Sequence, residues 1–152
     1  MITVKNGNLL EATEDIIAHQ VNCHGAAGGL AWHVFQRWPD AENDYRQIID
    51  RAAFVGGQKN LLGLAQLTGQ QRDGKIIANL FGQYFPGADY RPAMLEHALE
   101  ELAAAARALG KTVALPHGLS CGICGGDWDQ VSQIIERTMK GVDVGIYRLE
   151  DQ

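Results

Sequence analysis

A glycine-rich stretch towards the C-terminal end of the chain has the composition of an anion-binding loop. The residues from Pro116 to Trp128 include four glycines and lie between an apolar run and a helical pattern. Glycine lets backbone N–H groups approach a ligand, and a loop that ends at a helix start directs unpaired N–H groups and the positive end of the helix dipole at an anion. Tight turns that bind nothing have a similar composition. The stretch therefore predicts a phosphate-binding loop, with Asp127 as the N-cap of the following helix.

A second loop of small residues, Asn22 to Gly29, has the same position between a strand and a helix. The strand pattern runs from Asp15 to Val21, and Pro39 closes the helical pattern that follows the loop. Asn22 and His24 lie at the entrance of this loop and are the candidate catalytic residues. A histidine in that position would act as a general base or orient a water molecule.

Three cysteines offer a metal site as an alternative for the two loops. Cys121 and Cys124 form a Cys-x-x-Cys pair, and Cys23 and His24 lie in the first loop, so these side chains would make a zinc ligand set if the loops converge. Zinc pairs of this kind usually lie in knuckles rather than in an anion-binding loop, so we favour reduced cysteines packed around the backbone. The sequence accordingly predicts neither a metal nor a cofactor.

Strands alternate with helices along the chain, which predicts a three-layer α/β/α sandwich with a mixed central sheet. The predicted strands cover residues 2–4, 15–21, 61–68, 75–81, 113–115 and 142–149, and the predicted helices cover residues 30–38, 40–53, 91–109 and the segment after Asp127. Asp73-Gly74 is a strong turn signal, so the strands on either side of it form an antiparallel hairpin. Ligands of such folds lie at the carboxyl ends of strands, where both small-residue loops begin.

Composition and charge limit the classes of function that the chain can have. A length of 152 residues with 46% hydrophobic and 20% charged residues fits one domain, which we place at residues 1–152. The net charge of -5 and the pI near 5.4 argue against a large basic surface for nucleic acid. The N-terminus has no signal pattern, no apolar run approaches the roughly 18 residues of a membrane span, and an odd number of cysteines fits a reducing compartment. We therefore expect a cytoplasmic protein without a membrane partner.

Several segments together resemble the macrodomain family. They are Gly7-Asn8-Leu9-Leu10, Asp15 to Cys23, the glycine loop up to Leu30, Ala78-Asn79-Leu80-Phe81-Gly82-Gln83, and Leu115-Pro116 through Asp127-Trp128. The resemblance covers Ile2 to Leu149, in the family's order and spacing. It is strongest to the branch that contains the terminal ADP-ribose protein glycohydrolase and the macro module of a human chromatin remodeller. The resemblance implies a pocket for ADP-ribose.

The resemblance also implies which residues contact this ligand. The loop from Asn22 to Gly29 would embrace the distal ribose, and the loop from Ser120 to Gly125 would wrap the diphosphate. Apolar walls for the adenine would come from Ile16 or Ile17, Tyr147 and Leu149. The implied ligand-binding residues are Asn8, Leu9, Ile17, Asn22, Gly25, Ala26, Ala27, Gly28, Gly29, Leu30, Phe81, Pro116, Ser120, Cys121, Gly122, Ile123, Cys124, Gly125 and Leu149.

Three positions depart from the family pattern. Relatives often have an aspartate at Asn8 that meets the adenine amino group, and the asparagine would accept from that amine through its carbonyl oxygen. In the deglycosylating members, a lysine just after the strand that ends at Phe81 attacks the anomeric carbon, and an aspartate in the diphosphate loop assists. The matching positions lie near Gln83 and at Cys124, and neither an amide nor a neutral thiol does this work. The lysine-dependent mechanism is therefore not expected.

These observations leave three functions open. The leading hypothesis is a domain that binds ADP-ribose or an ADP-ribosylated molecule, with nucleic acid a partner only as an ADP-ribosylated substrate. The second is a hydrolase that removes ADP-ribose or its ester or phosphate adducts, including ADP-ribose 1''-phosphate, through substrate-assisted water. The third is a non-enzymatic interaction domain with a repurposed pocket, which Asn8, Gln83 and Cys124 would allow.

Overall fold

The computed structural model describes residues 1–149, in which a six-stranded sheet is covered by helices on both faces. The strands are β1 (Ile2–Asn6), β2 (Ile16–Val21), β3 (Ala65–Leu67), β4 (Ile76–Phe81), β5 (Val113–Pro116) and β6 (Val144–Arg148), and the helices are α1 (Gly29–Arg37), α2 (Pro39–Phe54), α3 (Pro92–Leu109) and α4 (Trp128–Thr138). Pro39 ends the first helical pattern as predicted, and it also starts α2, since proline suits the first turn of a helix.

The strand order in the sheet is β1-β6-β5-β2-β4-β3. All neighbouring strands are parallel except β3, which pairs antiparallel with β4 across the predicted hairpin. The prediction of an α/β/α sandwich with a mixed sheet is confirmed. Because five strands are parallel, their carboxyl ends meet at one edge of the sheet, and loops from all five lie side by side there.

Two apolar clusters hold the three layers together, one on each face of the sheet. Alternation in β2 divides its side chains between them, since Ile16 packs in the α3–α4 cluster and Ile17 in the α1–α2 cluster. The longest helix, α3, buries a stripe of apolar side chains at helical spacing and ends at Gly110, whose φ of 66° gives a left-handed cap. Within the described part of the chain, none of the helices combines the length and apolar character that a membrane crossing requires.

The strand predicted at residues 61–68 is much shorter in the structure. Residues 58–61 form a 3-10 turn, Gly63 adopts a φ of 85°, and the extended segment is Ala65–Leu67. The apolar run was misleading because Leu61 reaches the α1–α2 cluster from the turn rather than from a strand. The closing strand is likewise shorter than predicted, since it spans Val144–Arg148.

Candidate functional site

A cavity of about 1040 Å³ lies at the edge where the carboxyl ends of the parallel strands meet. Its lining comes from the ends of all five parallel strands and from the first turns of α1. The lining residues are 7–9 after β1, residues 20–22, 26–31 and 33 around the end of β2 and the start of α1, residues 83, 86 and 87 after β4, residues 116–124 at the end of β5, and residues 147 and 149 of the last strand segment.

Most of the predicted ligand-binding residues line this cavity. They are Asn8, Leu9, Asn22, Ala26, Ala27, Gly28, Gly29, Leu30, Pro116, Ser120, Cys121, Gly122, Ile123, Cys124 and Leu149. Their contact with a ligand stays a prediction, but the folding of the chain brings both small-residue loops to one site.

Five predicted site residues lie outside the cavity lining. Ile17 and Phe81 are fully buried in the α1–α2 cluster, because their positions in central strands direct them under the helices. Gly25 and Gly125 each lie next to lining residues without reaching the cavity. The imidazole of His24 stacks on Phe85 with 5.3 Å between ring centroids, outside the lining.

The start of α1 supplies one group of backbone donors to the cavity. The N-cap is Gly28, which makes no side-chain capping hydrogen bond, so the first N–H groups of the helix are left without that partner. Gly28, Gly29 and Leu30 all line the cavity. The positive end of the α1 dipole therefore faces the space where an anion would lie.

The loop at residues 117–127, here called the cradle loop, supplies a second group of donors. Among residues 1–149, no protein acceptor takes the backbone N–H of Ser120, Gly122 or Ile123. Ser120 and Gly122 have φ angles of 64° and 48°, so the loop turns through left-handed backbone that glycine tolerates and serine adopts only at a cost. The Gly126 N–H donates to Ser120 O at 2.9 Å and fixes this conformation.

Gln20 connects the cradle loop to the loop that follows β4. Its Oε1 accepts from the Ser120 hydroxyl, and its Nε2 donates to Gln83 Oε1 at 2.8 Å. Gln83 in turn donates through Nε2 to the carbonyl oxygens of Phe85 and Gly87, at 2.6 and 3.2 Å. Both amide hydrogens of Gln83 are therefore used in holding the loop after β4.

Asn22 shapes the first loop through its side-chain amide. Its Oδ1 accepts from the His24 N–H at 2.9 Å and from the Tyr45 hydroxyl at 3.0 Å, and its Nδ2 donates to Ala26 O at 2.7 Å. These bonds leave Asn22 one amide hydrogen for a ligand. The geometry gives Asn22 a positioning role, and the His24 imidazole stacks on Phe85 outside the cavity lining.

Tyr147 forms one wall of the cavity and is anchored from behind by a buried carboxylate. Its hydroxyl donates to Glu14 Oε1 at 2.5 Å, and Lys5 Nζ lies 2.6 Å from the other oxygen of the same carboxylate. Burial raises the pKa of Glu14, but the hydrogen bonds from Lys5 and Tyr147 outweigh it, and the net pKa lies below the usual value. Glu14 is therefore charged at neutral pH and holds the tyrosine ring against the cavity.

No aspartate, glutamate, lysine or arginine is among the cavity-lining residues of the described chain. Two histidines, His33 and His117, do line it. Burial and the nearby Arg148 lower the pKa of His117, so this imidazole is neutral at neutral pH. Backbone N–H groups, rather than lysine or arginine side chains, are therefore the donors that the described lining offers to an anion.

The zinc alternative gains no geometric support. Residues 1–149 contain no group of three or more His, Cys, Asp or Glu side chains placed to hold a metal ion. The Cys23 thiol is fully buried and lies 3.5 Å from Gln83 O, and burial raises its pKa to about 11. Its role here is packing and hydrogen bonding.

Several lining residues were missed at the sequence level. Gln20 is a polar residue at the carboxyl end of an otherwise buried strand. Because ligands of this fold class lie at the carboxyl ends of strands, its position could have identified it as a cavity residue from the sequence. Pro86 and Gly87 follow β4, and only the fold brings their loop over the cavity.

Comparisons with known proteins agree with this geometry. No family model matches the chain. A macrodomain protein from Streptomyces coelicolor is 30% identical, with a TM-score of 0.79 over 97% of this chain and 99% of that one. The macrodomain of DarG from Mycobacterium tuberculosis is 29% identical, with a TM-score of 0.83 over 97% of both chains. A curated relative, the ADP-ribose 1''-phosphate phosphatase of Saccharomyces cerevisiae strain YJM789, is 25% identical over 97% of this chain and 98% of its own length.

These likenesses extend over almost the full length of each protein, so they include the loops as well as the sheet. The order of the strands, the glycine loops at their carboxyl ends and the cavity between them all lie within the matched region. Because a macrodomain of known structure is 30% identical to this chain and matches 97% of its length, the chain belongs to the macrodomain family.

Proposed function

We propose that this protein binds ADP-ribose or an ADP-ribose derivative in the cavity at the carboxyl ends of the strands. The observation that carries the proposal is the convergence of two groups of backbone donors, from the α1 start and the cradle loop, on a cavity whose described lining includes no aspartate, glutamate, lysine or arginine. A diphosphate between these donors would receive N–H groups from both sides. The name of the yeast relative, which refers to a phosphate ester of ADP-ribose, supports the same ligand class.

The two ends of the cavity differ in the way that this ligand requires. Leu9, Tyr147 and Leu149 give one end an apolar wall for a base. Asn22, which keeps one free amide hydrogen, gives the other end a donor suited to a ribose hydroxyl. The diphosphate would then lie over the cradle loop between them.

Calorimetric titration with ADP-ribose, with ADP and AMP as controls, tests the proposal. We expect micromolar or tighter binding that weakens when the distal ribose is absent. Gly122→Glu should lower the affinity by more than about tenfold, because a carboxylate would lie among the donors that face the diphosphate. Gly56→Glu is the matched control, since Gly56 also has a positive φ and open space but lies outside the cavity. Unchanged affinity in the folded Gly122 variant would contradict the placement of the diphosphate.

The yeast relative favours a second candidate, hydrolysis of ADP-ribose 1''-phosphate or a similar adduct. The described part of the lining has no carboxylate or lysine, so the imidazoles of His33 and His117 are the candidates for a general acid or base there. Phosphate release from ADP-ribose 1''-phosphate, measured for the native protein and for variants with each histidine changed to glutamine, distinguishes this enzyme from a binding domain. Binding without release in the native protein would leave the binding function alone.

A further inference from the structure

Two free thiols, those of Cys121 and Cys124, line the cavity within the cradle loop. The Cys124 N–H donates to Cys121 O at 3.0 Å, which closes a turn of four residues between them. The first and last Cα atoms of such a turn lie within about 7 Å, and a disulfide spans Cα distances of about 4.4 to 6.8 Å. The backbone of the loop thus already brings the two cysteines to disulfide range.

The surroundings of the two sulfur atoms differ. The Cys121 thiol lies 3.4 Å from Leu119 O and is half-buried, whereas Cys124 Sγ lies 3.5 Å from Gln20 Nε2 and is buried against the cavity floor. Burial, together with the nearby Asp127 carboxylate and the neighbouring Cys124 side chain, raises the pKa of Cys121. Most of this thiol is protonated at neutral pH, so exchange with a disulfide is slow there and faster at mildly alkaline pH.

We propose that Cys121 and Cys124 form a dithiol site that a low-molecular-weight disulfide oxidises to an intramolecular disulfide across the cradle loop. The Cys121 thiolate attacks one sulfur of the small disulfide, which leaves a mixed disulfide and releases one small thiolate. The Cys124 thiol then loses its proton and attacks the Cys121 sulfur, which releases the second small thiol. Two protein thiols are oxidised, and one small disulfide is reduced to two thiols.

Disulfide formation changes the loop that faces the proposed diphosphate. Cys124 Sγ lies 3.5 Å from Gln20 Nε2, and residues 122 and 123, whose N–H groups have no protein acceptor in the described chain, lie inside the ring that the disulfide closes. We expect ligand affinity to fall by about tenfold, the size of one lost hydrogen bond to an anion. This effect rests on the proposed ADP-ribose function, whereas formation of the disulfide does not.

The experiment incubates the native protein with oxidised glutathione at mildly alkaline pH and measures its intact mass, its disulfide map and its affinity for ADP-ribose before and after. The expected result is the loss of two hydrogens, a bond between Cys121 and Cys124, weaker binding, and recovery of both mass and affinity after reduction. Cys124→Ser should instead retain a glutathione adduct on Cys121. Cys23→Ser is the matched control and should behave like the native protein, since Cys23 is fully buried.

Absence of a disulfide, or a disulfide that includes Cys23, would overturn the dithiol site. A Cys121–Cys124 disulfide that leaves the affinity unchanged would overturn its effect on the cavity. A native protein that never binds ADP-ribose refutes the proposed function instead, and the mass and the disulfide map still decide whether the dithiol site exists.

Discussion

Single side chains connect the parts of this cavity that come from distant points of the sequence. Gln20 joins Ser120 to Gln83 through its one amide group, so the end of β2, the cradle loop and the loop after β4 share a hydrogen-bond chain. Asn8 has a comparable local role, because its Oδ1 accepts from the Leu10 N–H at 3.0 Å and caps a short 3-10 turn. This bond fixes the orientation of the Asn8 amide, whose Nδ2 keeps its hydrogens for other partners.

Glu14→Ala should weaken the binding of ADP-ribose, ADP and AMP to a similar extent. The substitution removes the acceptor of the Tyr147 hydroxyl, and the ring that we place against the base loses its anchor. A loss of about fivefold is expected, because one charge-assisted hydrogen bond positions the ring. Tyr147→Phe is the matched variant, since it removes the same bond but keeps the ring. Native affinities for all three nucleotides in a folded Glu14→Ala protein would refute the positioning role.

The secondary-structure elements contribute through their ends and their buried faces. The strand β2 places Gln20 and Asn22 at the cavity while its middle carries His19, which is fully buried and lies 2.6 Å from Asn79 Oδ1 through Nε2. Within the described residues, Nδ1 of His19 has no hydrogen-bond partner. The strand β2 thus carries a cavity-lining residue, Gln20, beside a buried titratable residue, His19, on which stability depends.

Stability should depend on pH through His19. Burial lowers its pKa from 6.5 to about 4, so between these values the unfolded chain binds a proton that the folded chain does not. The free energy of unfolding should therefore fall as the pH is lowered from 6.5 to about 4, by on the order of 3 kcal/mol from this group. Denaturant unfolding of His19→Gln should show a smaller decrease over the same range. Equal decreases for the two proteins would contradict this assignment.

The helix α4 begins at a cap made by Asp127, whose Oδ1 accepts from the Asp129 N–H at 3.0 Å. Asp127→Ala should lower the free energy of unfolding by about 1 kcal/mol, whereas Asp127→Asn should lose less because asparagine also caps helices. Chemical denaturation of the three proteins measures the difference. A loss of turnover with unchanged stability would instead assign a catalytic role to Asp127, which lies outside the cavity lining.

The molecule as a whole carries a net charge of -5 and has no lysine or arginine in the described cavity lining. The proposed ligand is an anion, so the overall field opposes its approach while local backbone dipoles hold it. The affinity of such a cavity for an anion should therefore depend less on salt concentration than the affinity of a site built from lysine and arginine side chains.

Raising the salt concentration should leave the affinity for ADP-ribose unchanged within about twofold, or increase it slightly. Screening reduces the long-range repulsion between the acidic protein and the ligand, whereas short-range hydrogen bonds from N–H groups are little affected. Calorimetric titrations at low and high sodium chloride provide the measurement. A steep decrease in affinity with salt would indicate that lysine or arginine side chains contact the phosphates.

Local sequence pattern was sufficient for most of the fold. Periodicity predicted the long helix that ends at Gly110, and the Asp73-Gly74 turn predicted the antiparallel pair, because both signals depend on neighbours a few residues apart. The strand predicted from the apolar run at residues 61–68 was too long, because a local pattern does not show that Leu61 reaches the core from a turn.

The glycine loops predicted where the cavity would lie, because a loop between a strand and a helix exposes backbone donors wherever it occurs. The sequence could not show that Ile17 and Phe81 pack under the helices, or that Gln83 and Pro86 line the cavity. These outcomes depend on which face of the sheet each strand residue occupies and on the order of the strands. That order is set by long-range packing, and it brings residues 20, 83 and 120 into one hydrogen-bond chain.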